Sequence, residues 1–212
     1  GVYTVDSKDG AKLVGKAATI RRPVTEDLWQ KHIDGKQGIG IIPITDESKC
    51  MFGAIDIDVY PINYQEVASQ IREHKLPLIP CKSKSGGLHL YLFVTEFVSA
   101  SLIQGKLKEF AIKLGYGDCE IFPKQTKILA ERGDIGGWIN MPYFNANGPS
   151  DRHGVYPDGT RMTIEEFLKE VEEKRLTTEQ LVGFALDLIN EMIDGPPCLQ
   201  HLISKKVSSG SR

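Results

Sequence analysis

The sequence predicts an α+β domain, and three observations lead there. The chain has 212 residues, 41% of them hydrophobic and 25% charged, the size and balance of a globular unit with a sizeable core. Stretches with an apolar residue at every second position are interspersed with stretches of helical period. Their order is irregular rather than strictly alternating, which favours α+β over a doubly wound parallel sheet.

The elements follow in order. "GVYTV" and "KAATI" predict short strands. In "VTEDLWQKHI", Thr25 can cap a helix whose first turn holds Glu26 and Asp27, where carboxylates meet the positive helix end. "GIGIIPI" predicts a strand, polar "TDESK" a turn and "MFGAIDIDV" a second strand, so the two are expected to pair as a hairpin. Pro61 ends the second strand. "NYQEVASQIREHK" carries Val67, Ala68 and Ile71 at helical spacing, and "LPLIPC" returns as an extended run. In "LHLYLFV", His89, Tyr91 and Phe93 would share one strand face, and Leu88, Leu90 and Leu92 the other. "SASLIQGKLKEFAIKLG" predicts an amphipathic helix stopped at Gly115. "CEIFP" and "GGWINMPYF" predict further strands, and "NANGPSDRHGVYPDGT" a loop. Thr163 with Glu166, and Thr177 with Gln180, make capping boxes for two more helices. Residues 1–194 are expected to form one domain. Residues 195–212 read as a linker and the start of a further helical region.

No apolar run approaches the ~20 residues of a membrane span, and no charged-then-apolar leader opens the chain. A net charge of −2 gives no global sign of a nucleic-acid partner, although a local basic groove stays open. Cys50, Cys81, Cys119 and Cys198 show no CxxC spacing. A zinc ribbon is therefore not expected, and reduced thiols in a cytoplasmic protein are.

The chemistry begins at "FGAIDIDVYP", where Asp56 and Asp58 alternate with Ile55, Ile57 and Val59. Residues i and i+2 of a strand point the same way, about 6–7 Å apart. Two such carboxylates repel, and burial raises the cost of each charge. Divalent cations such as Mg²⁺ or Mn²⁺ remove both penalties, and a pair of them suits phosphoryl-type transfer. A one-sided sheet with a wet aspartate face would look the same.

"CKSKSGGLHLYLF" places Lys82, Lys84, Ser85, Gly86 and Gly87 in a turn before a strand that carries His89. Consecutive glycines let backbone N–H groups converge on phosphate oxygens. A plain Gly-Gly hairpin with surface lysines is the alternative. "GDCEIFPKQ" then offers Asp118 and Glu120, again at i and i+2, followed by Lys124 and Gln125.

In that order, "AIDID", "SKSGGLHLYLF" and "EIFPKQ" resemble the three catalytic motifs of the archaeo-eukaryotic primase superfamily, and most of all the primase-polymerases of phages, plasmids and bacterial mobile elements. The resemblance runs from about residue 37 to 145. It implies a two-lobed α+β catalytic core, one lobe related to the RNA-recognition motif, with the acids between the lobes. Asp56 and Asp58 match the first-motif metal ligands, and Glu120 the third-motif carboxylate, with Asp118 as its rival. His89 and Ser85 match the Ser/His nucleotide-binding motif, although the serine stands four residues before the histidine rather than two. Lys82, Gly86, Gly87 and Lys124 would help hold the triphosphate. "GGWINMPYFN" resembles the post-catalytic strand, with Asn140 as a nucleotide or template contact. Trp138, Tyr143 and Phe144 are candidates for base stacking or for core packing.

The activity implied is template-directed nucleotidyl transfer with Mg²⁺ or Mn²⁺ as cofactor. The implied partners are single-stranded DNA template and primer, nucleoside triphosphates, and a helicase or C-terminal priming domain. A bacterial or phage-infected cytoplasm would be the setting. A metal-dependent nuclease and a catalytically silent nucleic-acid-binding module are the rival expectations.

Overall fold

The computed structural model describes residues 2–5, 15–20 and 22–184. Its strands are β1 (Val2–Val5), β2 (Gly15–Ala18), β3 (Gly38–Ile41), β4 (Lys49–Ile57), β5 (Leu78–Lys82), β6 (Leu88–Ser99), β7 (Glu120–Phe122) and β8 (Ile139–Asn140). The helices are α1 (Glu26–Ile33), α2 (Tyr64–Glu73), α3 (Ala100–Lys113) and α4 (Ile164–Lys174). Residues 178–184 are also helical. The expected segment at 195–212 lies outside the described residues.

Local signals explain the helix ends. Thr25 caps α1 by accepting from the Leu28 amide, and Asn63 and Ser99 do the same for α2 and α3. Thr163 and Glu166 form the reciprocal capping box of α4. Thr177 and Gln180 exchange the equivalent pair of bonds. Gly115 follows α3 with φ at +82°, a left-handed conformation that suits glycine.

Among the described residues, the strands form two four-stranded sheets, ordered β2-β1-β3-β8 and β5-β6-β4-β7. All pairs within them run antiparallel. The second sheet follows the chain order β4-α2-β5-β6-α3-β7. The mixed, antiparallel α+β class agrees with the sequence.

Alternation divides the second sheet into two faces. Ile55, Ile57, Leu88, Leu90 and Leu92 point to α2 and α3, where Val67, Ile71, Leu107 and Phe110 complete a buried core. Burying each such side chain contributes about 1.5–3 kcal/mol. The opposite face carries Ala54, Tyr91 and Phe122 against Ile139, Tyr143, Met162 and Phe167. The first sheet therefore meets the second on the face that also bears Asp56, His89 and Glu120.

Three expectations change. β3 and β4 do not form a hairpin: β3 pairs with β1 and β8, and only an Ile44–Cys50 bridge joins its continuation to β4. Pro43 has no N–H to carry a ladder onward, and the chain crosses there from one sheet to the other. β4 ends at Ile57, so Asp58 stands one residue beyond it, because its partner β6 starts at Leu88, opposite Ile57. The strand expected in "GGWINMPYF" shortens to Ile139–Asn140. Pro142 cannot donate, and Tyr143 turns the chain with φ at +63°.

Candidate active site

Register brings the motifs together. Asp56 on β4 stands opposite His89 on β6 and, on its other flank, opposite Glu120 on β7. Paired residues in adjacent strands share a face with Cβ atoms about 4.5–5.5 Å apart. His89, Asp56 and Glu120 thus form a row across three strands. His89 is buried, Asp56 is half-buried, and Glu120 is exposed.

His89 Nε2 lies 3.3 Å from Asp56 Oδ1. The alignment makes no hydrogen bond, and Asp56 Oδ1 is buried without a hydrogen-bond partner. A carboxylate oxygen in that state is short of a donor or a cation. Glu120 turns its carboxylate to Lys124 Nζ, 2.8 Å away, and that ammonium also covers the Phe122 ring.

Asp58 joins the second motif. Its Oδ1 accepts from Ser85 Oγ at 3.2 Å and from the Tyr60 hydroxyl at 3.0 Å. The Ser85 oxygen lies 3.0 Å from Ser83 Oγ, which in turn accepts from the Gly87 amide. Since Ser85 donates to Asp58, Ser83 donates to Ser85. Gly87 lies tight against the strand end: a Cβ there would meet the Ile57 carbonyl and would stand 2.9 Å from Asp58 Oδ1.

The glycine turn differs from the expected anion nest. The Gly86 amide donates to the Ser83 carbonyl and the Gly87 amide to the Ser83 hydroxyl. The turn also carries charged side chains. Lys84 is exposed. Lys82 Nζ sits 4.8 Å from the Tyr64 ring centroid and 3.8 Å from Asp151 Oδ2. The Gly86 carbonyl accepts from the Tyr64 hydroxyl.

The remaining candidates separate. Asp118 is exposed in the turn before β7, whereas Glu120 is in register with Asp56. Asn140 on β8 reaches the site through its backbone carbonyl, which accepts from the Tyr91 hydroxyl at 2.6 Å. Tyr143 is a core residue: it is buried, and its hydroxyl is engaged by the Met162 and Thr163 carbonyls and the Gly154 amide. Phe144 is half-buried with the Arg152 guanidinium 4.8 Å over its ring. Trp138 is half-buried beside Gly40.

Four side chains near the motifs escape selection from sequence. Tyr91 has a usable signal, since it shares a strand face with His89. Ser83 and Tyr60 lie inside or beside the motifs but match no catalytic pattern. Arg152 comes from a turn-rich loop and carries no signal in sequence.

Among the described residues, no three His, Cys, Asp or Glu side chains converge on one point. The donor set nevertheless fits divalent cations: Asp56 Oδ1 is buried and unsatisfied, Glu120 is its exposed cross-strand partner, and Asp58 stands two residues on with an exposed carboxylate. The described cysteines are free thiols. Burial pushes the Cys50 thiol up to about 12 and raises Cys81 further in the same direction. Among the described residues, no helix is long and apolar enough to cross a membrane.

The row of His89, Asp56 and Glu120 on an antiparallel α+β scaffold is accompanied by a match at family level. The family model of the TOTE conflict system, Archaeo-Eukaryotic Primase domain, matches residues 5–182. The chain belongs to that family, within a superfamily of primase-like nucleotidyltransferase domains. The match reaches beyond the 37–145 span of the motif resemblance at both ends. No curated protein matches the chain.

Proposed function

We propose that this domain is a template-directed primase-polymerase that transfers a nucleotide from a nucleoside triphosphate to a 3′-hydroxyl. The observation that carries the proposal is the register that aligns Asp56 with Glu120 and His89. Asp56, Asp58 and Glu120 are the carboxylates for Mg²⁺ or Mn²⁺. Such ions, when bound, lower the pKa of the attacking hydroxyl and stabilise the departing pyrophosphate.

The protein's own groups position the reactants. Lys124 pairs with Glu120, and Lys82 and Lys84 flank the turn that Ser85 links to Asp58, so these lysines are the positive charge for the triphosphate. In the transfer, the 3′-oxygen bonds to the α-phosphorus, the α–β bridging P–O bond breaks, and the hydroxyl proton is released. His89 stands at the buried end of the row, against the nucleotide. Asn140 borders it from β8.

The order β5-β6-β4-β7, with chain path βαββαβ, supports a lobe related to the RNA-recognition motif. The sheet bearing β3 and β8 supplies the second lobe. Single-stranded template and primer are the partners this arrangement suits, with a helicase or a C-terminal priming domain as further partners. The family's description supports a conflict system as the setting.

Primer extension with Mn²⁺ tests the proposal, with Asp56→Ala and Asp58→Ala alongside the parent. Incorporation by the parent and its loss in both variants is expected. Variants as fast as the parent would remove the metal assignment. Cleavage of the labelled strand without incorporation would favour a nuclease.

A further inference from the structure

Tyr91 lies between the candidate site and the other sheet. Its hydroxyl oxygen is 2.6 Å from the Asn140 carbonyl and 3.1 Å from His89 Nδ1. A phenol has one proton, and a carbonyl oxygen can only accept. The phenolic proton therefore goes to Asn140. Burial foremost, with Cys81 and Asp56 adding to it and Arg152 opposing, holds the Tyr91 pKa well above the ordinary tyrosine value, so the hydroxyl keeps that proton. The Tyr91 oxygen is left as the acceptor, and His89 Nδ1 must be the donor. The imidazole is 7% exposed, so water does not compete freely for that nitrogen. The other ring nitrogen, Nε2, is the one that faces Asp56, without a hydrogen bond.

We infer that Tyr91 is a positioning residue of the site: it holds His89 with its Nδ1–H directed at the Tyr91 oxygen, which turns Nε2 towards Asp56. That orientation holds Nε2 at the row of acids, where the proposed nucleotide would meet it. The consequence for nucleotide binding rests on the proposed function, whereas the tautomer does not. The Tyr91 bond runs from β6 to β8, so the ring's orientation depends on how the two sheets dock.

The test is a two-bond ¹⁵N–¹H correlation spectrum of the histidine rings above about pH 8, where imidazole is uncharged. His89→Ala assigns the signal by its loss. The parent protein is expected to show His89 as the Nδ1–H form. Tyr91→Phe keeps the ring and its packing beside Phe52 and Phe93, and is expected to release His89 into a mixture containing Nε2–H. Calorimetry should show nucleotide affinity weakened about 2–10-fold in that variant, the worth of one hydrogen bond, with Mn²⁺ affinity unchanged. An Nε2–H ring in the parent overturns the inference, as does a Tyr91→Phe spectrum identical to the parent's. Should the variant fail to fold, the parent spectrum decides alone. A parent that incorporates no nucleotide would sink the proposed activity and leave the tautomer assignment standing.

Discussion

Asp56 and Glu120 are cross-strand partners on β4 and β7, sharing one face of the second sheet. Asp118, two residues earlier, stays in the preceding turn. The two acids are equivalent as sequence and unequal as structure.

That inequality predicts the behaviour of two variants. Glu120→Gln should lower single-turnover nucleotide incorporation by about 100-fold or more, the scale of removing one charge-stabilising group from a transfer site. Asp118→Ala should stay within about threefold of the parent, as most surface substitutions do. Equal losses in the two would return Asp118 to contention.

Metal binding should register as stability. Saturating Mn²⁺ at about 100 times its dissociation constant stabilises a folded protein by roughly 2.7 kcal/mol. A matching rise in Tm is expected in the parent and should vanish in Asp56→Ala. A rise that survives the substitution would place the ion elsewhere.

The glycines make opposite predictions at two positions. Gly87→Ala should destabilise by about 1–3 kcal/mol, because its Cβ would press on the Ile57 carbonyl and Asp58 Oδ1. Gly105 lies on the exposed side of α3, and a methyl group there would meet nothing within 4 Å. Gly105→Ala should stabilise by about 0.5–1 kcal/mol through helix propensity. Urea midpoints of the two variants check both signs.

His32 sets a pH dependence. It is buried, accepts from the Ile39 amide at Nδ1, and donates from Nε2 to the Pro142 carbonyl. Burial foremost lowers its pKa, partly opposed by the Pro142 bond. A histidine with a lower pKa folded than unfolded binds more protons when unfolded, so stability rises with pH across that interval. Its contribution to stability is therefore lost as pH falls below about 6.5 towards the folded-state pKa. The thermal midpoint should drop between about pH 7.5 and 5, while the His32 ring signal remains that of neutral imidazole below about pH 6.5, where an ordinary histidine has titrated. A ring that titrates at the ordinary value would contradict this.

Local features are legible in the chain. Thr25, and the pairs Thr163–Glu166 and Thr177–Gln180, cap helices as their spacing predicts, because a cap involves residues three apart. The leucines and the His89–Tyr91–Phe93 set separate onto two faces because the strand period is 2. The ordered motifs point to the superfamily. The β3–β4 hairpin that the sequence suggests does not form, because adjacency along the chain says nothing of which sheet a strand joins. Nor does the spacing of Gly86 and Gly87 show that the Ser83 carbonyl and hydroxyl take their amides.

By itself, then, the sequence determined the helix ends, the strand faces and the α+β class, and it nominated the residues of the candidate site, since each depends on neighbours within a few positions. Only the tertiary structure decided that Asp56 lines up with Glu120 and His89, that Ser85 reaches Asp58, and that Tyr91 ties His89 to the Asn140 carbonyl. The physical reason is that strand register and sheet membership follow from burying distant apolar faces together, and no local spacing encodes which partner wins.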